Sequence, residues 1–132
     1  MNKLPATISD IQQSGEIALI TLECAGVYFT AMIIEYEQDY IRKGNSVYMV
    51  FKETEVSIGK ALSGGLSIRN RFQSVIEQME KGKLLSEIQL NFNGYTIRSV
   101  ITTQSCDSLM LQPGEAVEGL LKSTELFIMK HD

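Results

Sequence analysis

The alternation of apolar and polar positions predicts β-strands along almost the whole chain. The expected strands are 5–12, 16–24, 27–34, 46–51, 54–58, 70–79, 84–92, 95–102, 116–121 and 125–129. Helical texture is confined to 35–42, ahead of Gly44, and to a turn at 104–110. Segment 16–24 carries apolar residues on both of its faces, which predicts a strand buried on both faces. The pattern therefore indicates an all-β protein.

The second half of the chain repeats the plan of the first. The glycines of two predicted hairpin turns, Gly26 and Gly94, lie 68 positions apart. Residues 50–52 (Val-Phe-Lys) and 120–122 (Leu-Leu-Lys) align at an offset of 70. Two strand-rich segments related by a nearly constant offset indicate an internal duplication.

Each repeat has about five strands and a short helical turn, which suits a five-stranded Greek-key barrel of the OB type. We expect two such barrels in tandem, a first unit at 1–60 and a second at 61–132. The glycine-rich join at 59–65 reads Gly-Lys-x-x-x-Gly-Gly, whereas a phosphate-binding Walker motif ends in Gly-Lys-Ser/Thr at a helix start. We interpret the join as a linker.

Composition removes several classes of function. The chain has 132 residues, a net charge of −4, one histidine and two cysteines. Because His131 is the penultimate residue and Cys24 lies far from Cys106, a histidine-based catalytic relay, a zinc site and a disulfide framework are not expected. Free thiols in a reducing compartment are expected instead. The sequence also lacks an acid–base pair and a nucleophile motif, so we do not expect an enzyme.

Neither a membrane nor a nucleic acid is an expected partner. The longest apolar run, 47–51, is far below the ~20 residues of a spanning helix, and the N-terminus lacks the pattern of a secretory signal. A cytoplasmic protein without membrane insertion is expected. The acidic balance argues against generic nucleic-acid binding. Single-stranded nucleic acid, which small OB-type barrels often bind, is disfavoured because most aromatic residues are expected in the core.

Three polar clusters in the second unit supply hydrogen-bond donors without a carboxylate. They are 67–71 (Ser-Ile-Arg-Asn-Arg), 102–105 (Thr-Thr-Gln-Ser) and 122–124 (Lys-Ser-Thr), each at a predicted strand end, where small barrels place functional loops. A tetrahedral oxyanion has only acceptor oxygens, so its site must bring donors and positive charge together. The clusters therefore indicate a small-oxyanion site, although composition does not name the anion.

The first unit lacks most of these donors. It keeps Lys52 in the place of Lys122. Where the second unit has Ser-x-Arg-Asn, the first has 1–5 (Met-Asn-Lys-Leu-Pro), and in place of Thr-Thr-Gln-Ser it has 35–39 (Glu-Tyr-Glu-Gln-Asp). Three carboxylates there would repel an anion. We expect only the second unit to be competent.

With these motifs, the sequence resembles the molybdate-binding TOBE (or mop) domain family. The similar forms are the tandem domains of molbindins and the C-terminal part of the molybdate-responsive transcription regulator. The resemblance covers 62–130, and more weakly 3–60 as a diverged first copy. The residues that carry it are Ser67, Arg69 and Asn70 of S-x-R-N, Thr102 and Ser105 of T-x-x-S, Leu111, Pro113 and Gly114 of L-x-P-G, and the pair Lys122 and Ser123.

The resemblance implies two OB-like barrels that bind molybdate, and tungstate as well, as the intact oxyanion. It places the sites between subunits of a homo-oligomer, a dimer or higher, with no direct metal coordination by protein and no covalent cofactor. The implied oxyanion-binding residues are Ser67, Arg69, Thr102, Ser105, Lys122 and Ser123. Arg69 and Lys122 supply charge, Ser67, Thr102 and Ser105 donate hydroxyl or backbone N–H bonds, and Ser123 is the weaker candidate.

Two functions follow from the resemblance. The first is a molybdate-binding protein for storage, buffering or sensing, with fewer sites than a symmetric tandem relative. The regulator's winged-helix DNA-binding domain is absent from this sequence, so direct transcriptional control is not expected. The alternative is a regulatory protein-interaction module related to the accessory domain of a molybdate transporter ATPase.

Overall fold

The computed structural model describes residues 1–34 and 37–132, most of which lie in β-strands. The strands are β1 (Asn2–Ser14), β2 (Ile17–Cys24), β3 (Val27–Ile34), β4 (Ser46–Phe51), β5 (Ser57–Gly59), β6 (Asn70–Lys81), β7 (Leu85–Phe92), β8 (Tyr95–Thr102), β9 (Ala116–Leu121) and β10 (Phe127–Lys130). The helical elements are α1 (Thr103–Ser108) and two 3-10 turns, Glu53–Glu55 and Ser123–Glu125. The all-β prediction is confirmed. In the described part of the chain, no helix is long and apolar enough to cross a membrane.

Packing divides the chain into two units, each of which takes one strand from the other half of the sequence. Unit 1 comprises 1–51 and 122–132, and unit 2 comprises 52–121. Each holds a five-stranded antiparallel sheet, in the orders β10-β4-β1-β2-β3 and β5-β9-β6-β7-β8. The units therefore differ from the contiguous division expected at 60/61. The reason is that β10 pairs with β4 and β5 pairs with β9, a long-range choice that local pattern does not encode.

The two sheets repeat each other in detail. A β-bulge follows Ile8 in β1 and Ile76 in β6. The carbonyl of each of these isoleucines accepts a hydrogen bond from a glycine amide, Gly44 in unit 1 and Gly114 in unit 2, at 2.7 Å in both cases. Both glycines have a positive φ, of 93° and 88°. The same backbone construction therefore closes the loop before β4 and before β9.

The core of each unit lies on one face of its sheet. In β2 the inward residues Ala18, Ile20 and Leu22 are fully buried. The prediction that this strand is buried on both faces is wrong, because Ile17 and Leu19 on the opposite face are 44% and 40% exposed. An antiparallel sheet can leave one face in water even where that face carries apolar side chains.

The helical prediction holds for one unit only. The turn expected at 104–110 is observed as α1, whereas residues 37–45 form turns without a helix, and 35–36 lie outside the described residues. The connection from Ile34 to Gly44 spans 10 positions and that from Thr102 to Gly114 spans 12. The shorter connection of unit 1 leaves less chain for a helical turn before the same glycine hydrogen bond.

One cross-strand pair in the core is packed differently in the two units. In unit 2 Phe72 lies opposite Gly119, and a Cβ added to that glycine would overlap the phenyl ring. In unit 1 the corresponding pair is Leu4 and Met49. A large and a minimal residue in one unit thus replace two residues of intermediate size in the other, as close packing of a fixed volume requires.

We expect Gly119→Ala to lower the free energy of unfolding by about 1–3 kcal/mol, because Phe72 must leave a well-packed position. Gly65→Ala is the matched control, since that glycine is exposed and an added Cβ meets no atom within 4 Å. Its effect should stay within about 0.5 kcal/mol. Urea denaturation measures both. Equal stability of Gly119→Ala and the parent would contradict the close packing.

Candidate oxyanion-binding site

The register of β6 with β9 fixes where two of the predicted donor segments begin. Asn70, the first residue of β6, is the partner of Leu121, the last residue of β9. Arg69 directly precedes Asn70, and Lys122 directly follows Leu121. Both segments therefore leave from the same end of this strand pair, which an antiparallel register alone determines.

The six predicted residues are distributed over both units. Ser67, Arg69, Thr102 and Ser105 belong to unit 2, whereas Lys122 and Ser123 pack with unit 1. The structure brings Thr102 and Ser105 into direct contact. The sequence-based division, which assigned all six to one contiguous unit, did not anticipate this distribution.

The predicted donors are on the surface of the chain. Ser67, Arg69, Thr102, Ser105 and Lys122 are exposed, and only Ser123 is half-buried. Among the ion pairs of the described residues, none involves Arg69 or Lys122. Two cationic side chains that have no carboxylate partner within 1–34 and 37–132 are therefore available to an external anion.

A buried asparagine marks the same position in both units. Asn70 lies opposite Leu121 in unit 2, and Asn2 lies opposite Phe51 in unit 1. Both are buried. The first unit therefore keeps the asparagine of Ser-x-Arg-Asn and carries Met1 in the place of Arg69, a correspondence that the 68-residue offset of the hairpin glycines already contained.

Thr102 and Ser105 form a closed pair at the start of α1. The Ser105 backbone N–H donates to Thr102 Oγ1 at 3.1 Å, and the Thr102 hydroxyl donates to Ser105 Oγ at 2.8 Å. Thr102 is thus the N-cap of α1. Its Oγ1 accepts the hydrogen bond from the Ser105 N–H, which was expected to donate to an anion. The hydroxyl proton of Ser105 remains available outside this pair.

The second cation of the 67–71 cluster, Arg71, is neutralised. Arg71 forms a two-point ion pair with Glu118, with Nε to Oε2 at 2.7 Å and Nη2 to Oε1 at 2.9 Å. The guanidinium lowers the pKa of the Glu118 carboxyl, and the carboxylate raises the pKa of Arg71. The pair ties β6 to β9 two residues from Arg69 and withholds Arg71 from other anions.

Other reactive groups do not form a second centre in the described part of the chain. No group of three or more His, Cys, Asp or Glu residues there could hold a metal ion. Cys24 and Cys106 are free and buried, and burial raises the pKa of the Cys24 thiol to about 11. Cys24 is therefore a protonated thiol at neutral pH.

Comparison with known proteins assigns the family. A family model described as the TOBE domain matches residues 66–128. The solved structure of a molybdate-binding protein from Sporomusa ovata is 30% identical, with 51% of this chain and 100% of that chain covered and a TM-score of 0.50. The chain belongs to the TOBE domain family. The residues that the TOBE model matches include Ser67, Arg69, Thr102, Ser105 and Lys122.

Two further relatives cover nearly the whole of this TOBE protein. The cytoplasmic molybdate-binding protein ModG, solved with molybdate bound, has a TM-score of 0.92 at 21% identity over 98% of this chain and 96% of that chain. This likeness is one of fold, and it supports the tandem OB-like architecture. The molybdenum import ATP-binding protein ModC of Rhizobium johnstonii (strain DSM 114642 / LMG 32736 / 3841) is 30% identical over 92% of this chain. The chain spans 37% of the length of that relative.

The Arg71–Glu118 pair makes a pH-dependent contribution to stability. Because the folded pKa of Glu118 is lowered, its contribution is present above the ordinary glutamate pKa and is lost as pH falls through the lowered value. We expect Glu118→Gln to reduce the unfolding temperature by about 3 °C at pH 7, with the difference shrinking as the pH falls below the ordinary glutamate pKa of about 4.3. Thermal unfolding followed by circular dichroism from pH 3 to pH 7 measures this.

Glu87→Gln provides the control for the Glu118 variant. Glu87 pairs with Arg98, with Oε1 3.1 Å from Nε, and both side chains are far more exposed than those of Arg71 and Glu118. Such surface pairs contribute little, so we expect a smaller shift at every pH. A Glu118→Gln difference that persists unchanged at the lowest pH would contradict the electrostatic account.

Proposed function

We propose that this TOBE protein binds molybdate or tungstate as the intact oxyanion, without catalysis, and stores, buffers or senses it in the cytoplasm. The observation that carries the proposal is the pair of exposed cations, Arg69 and Lys122, without an ion-pair partner among the described residues. A dianion requires positive charge and hydrogen-bond donors together. The description of the Sporomusa ovata relative as molybdate-binding supports this choice of anion.

Each residue of the proposed site has a distinct role. Arg69 and Lys122 neutralise the charge of the anion, and Ser67 and Ser105 donate hydroxyl hydrogen bonds to its oxygens. Thr102 orients the Ser105 hydroxyl through the two hydrogen bonds between them. Ser123, which is half-buried, is a donor next to Lys122. No metal–protein bond and no covalent cofactor form part of this proposal.

A second copy of the chain would complete the site. The proposed donors other than Ser123 are exposed, so an anion held by one chain would remain in water, where interactions between charges are weak. Burial of the anion and its donors at an interface between two copies of the chain would strengthen these charge interactions. We therefore include a homo-oligomer, a dimer or higher, with sites at its subunit interfaces, and no nucleic-acid partner.

Titration calorimetry with molybdate, tungstate and sulfate tests the assignment of the two cations. We expect Arg69→Ala or Lys122→Ala to weaken molybdate binding by at least about 30-fold, because removing a charged partner from a desolvated contact costs about 2–5 kcal/mol. Lys52→Ala is the matched control, since Lys52 follows β4 as Lys122 follows β9. The affinity of this variant for molybdate should stay within about twofold of that of the parent chain.

The same titrations can contradict the proposal in two ways. Equal affinity for sulfate and molybdate, or no heat with molybdate, would remove the oxyanion assignment. An effect of Lys52→Ala as large as that of Lys122→Ala would remove the claim that only one of the two corresponding lysines is used.

Light scattering with and without molybdate tests the shared site. We expect the parent chain to be a dimer or larger with molybdate bound, because one chain leaves the donors exposed. Tight molybdate binding by a chain that stays monomeric would contradict sites at subunit interfaces.

The similarity to ModC favours a second candidate function, a regulatory module that acts through another protein. This proposal relates the chain to the accessory domain of a transporter ATPase, with the anion as a conformational ligand. Because the chain spans 37% of that relative, ATP-dependent activity is not carried over. A chain that is monomeric and binds molybdate weakly, and that gains affinity when a protein partner is present, would favour this function.

A further inference from the structure

A set of hydrogen bonds fastens the 102–105 segment to the loop between β6 and β7. The backbone N–H of Thr103 donates to the Leu84 carbonyl at 2.9 Å, and its hydroxyl donates to the Gly82 carbonyl at 2.8 Å. Thr103 therefore uses both its backbone and its side chain on the same loop. This side chain is not one of the predicted anion ligands, and it follows Thr102 directly.

Ser86 extends this set into the interior of unit 2. It is 1% exposed, and its Oγ lies 2.8 Å from Thr103 Oγ1. Since the Thr103 proton is directed to Gly82, Ser86 is the donor of their bond. The hydroxyls thus form a chain from Ser86 through Thr103 to the Gly82 carbonyl. We call Gly82, Leu84, Ser86 and Thr103 the clasp.

An ion pair between Lys81 and Asp107 also joins the end of β6 to α1. Both side chains are about half exposed, so water screens their attraction and the pair holds α1 weakly. The clasp differs because Ser86 is buried. A buried hydroxyl with a directed partner fixes the conformation of both side chains more firmly than an exposed ion pair.

In unit 1 the position of Ser86 carries no hydroxyl. Ala18 occupies the position of Ser86: Ala18 pairs with Ile33 in β2–β3, as Ser86 pairs with Ile101 in β7–β8. Ala18 is fully buried and has no hydroxyl. The unit that holds the Thr-Thr-Gln-Ser segment thus has the polar fastening, and the other unit has an apolar residue there.

We propose that Thr103 and Ser86 are positioning residues for the oxyanion site, and this inference rests on the proposed function. The clasp fixes the start of α1 and so holds Thr102 against Ser105. The free proton of Ser105 is then aimed before the anion arrives, which removes part of the ordering cost of binding. Neither positioning residue touches the anion.

Four variants separate positioning from general stability. Thr103→Val keeps the side-chain shape and removes the hydroxyl, Ser86→Ala removes its donor, and Thr103→Ser restores the hydroxyl. Ser99→Ala is the matched control, because Ser99 is also buried in unit 2 and donates to the Val56 carbonyl at 2.6 Å, away from the clasp. Each variant is titrated with molybdate and with sulfate, and its unfolding temperature is measured.

We expect Thr103→Val and Ser86→Ala to weaken molybdate binding about tenfold, with a smaller change for sulfate, and Thr103→Ser to stay within about twofold of the parent. Ser99→Ala should lower the unfolding temperature by about 5 °C, as Ser86→Ala does, without changing molybdate affinity. A purely structural role would make affinity follow the unfolding temperature in all four variants.

Each contrary outcome has a definite meaning. Parent-like affinity in Thr103→Val and Ser86→Ala, or an equal loss in Ser99→Ala, would overturn the positioning role while leaving the proposed function intact. No molybdate binding by the parent chain would overturn the proposed function and this inference with it. If Thr103→Val does not fold, Ser86→Ala decides, since unit 1 already accommodates alanine at that position.

Discussion

The antiparallel register of β6 with β9 is the constraint on which the rest of unit 2 depends. Pairing Asn70 with Leu121 brings the segments bearing Arg69 and Lys122 out at one end of the strand pair. The same register puts Phe72 opposite Gly119 and brings Arg71 within reach of Glu118. Core packing, the cross-strand ion pair and the start of both donor segments are thus consequences of one alignment. A slip of β6 by one residue would turn its side chains, Arg71 and Phe72 among them, to the opposite faces of the sheet.

Comparison of the two units separates what the backbone requires from what an anion site requires. Both units have a β-bulge, after Ile8 and after Ile76, and a buried asparagine, Asn2 and Asn70. These shared features are therefore requirements of the sheet and not of an anion site. The side chains on that framework differ. Where unit 2 has the Arg71–Glu118 pair, unit 1 has Lys3 with its Nζ 4.2 Å from the centre of the Tyr48 ring. The structural repeat is therefore preserved while its surface chemistry has diverged.

The sequence contained the local elements but not their long-range partners. Period-two patterning located most strands, and the Asn93-Gly94 turn located the β7–β8 hairpin, because both depend on neighbouring residues. The strand expected at 54–58 is wrong in its first half, where Glu53–Glu55 form a 3-10 turn and β5 starts only at Ser57. The pairing of β5 and β10 could not be predicted, since a three- or four-residue strand carries no signal for which sheet it joins. The site is similar: strand-end donors were identifiable from their motifs, whereas the Thr102–Ser105 pair and the clasp depend on contacts made only in the folded chain.

The acidic composition of the chain is compatible with an anion site because several carboxylates of unit 2 are paired with cations. Around the second-unit donors, Glu118 is paired with Arg71, Asp107 with Lys81, and Glu115 with Lys60 at 2.7 Å. Each ion pair has no net charge. The field of more distant carboxylates is screened by salt over a length of about 10 Å. Arg69 and Lys122 have no such partner among the described residues, so their charges remain available to an anion. The net charge of the chain thus governs its attraction to a polyanion. The local arrangement of ion pairs determines whether the chain can bind a small anion.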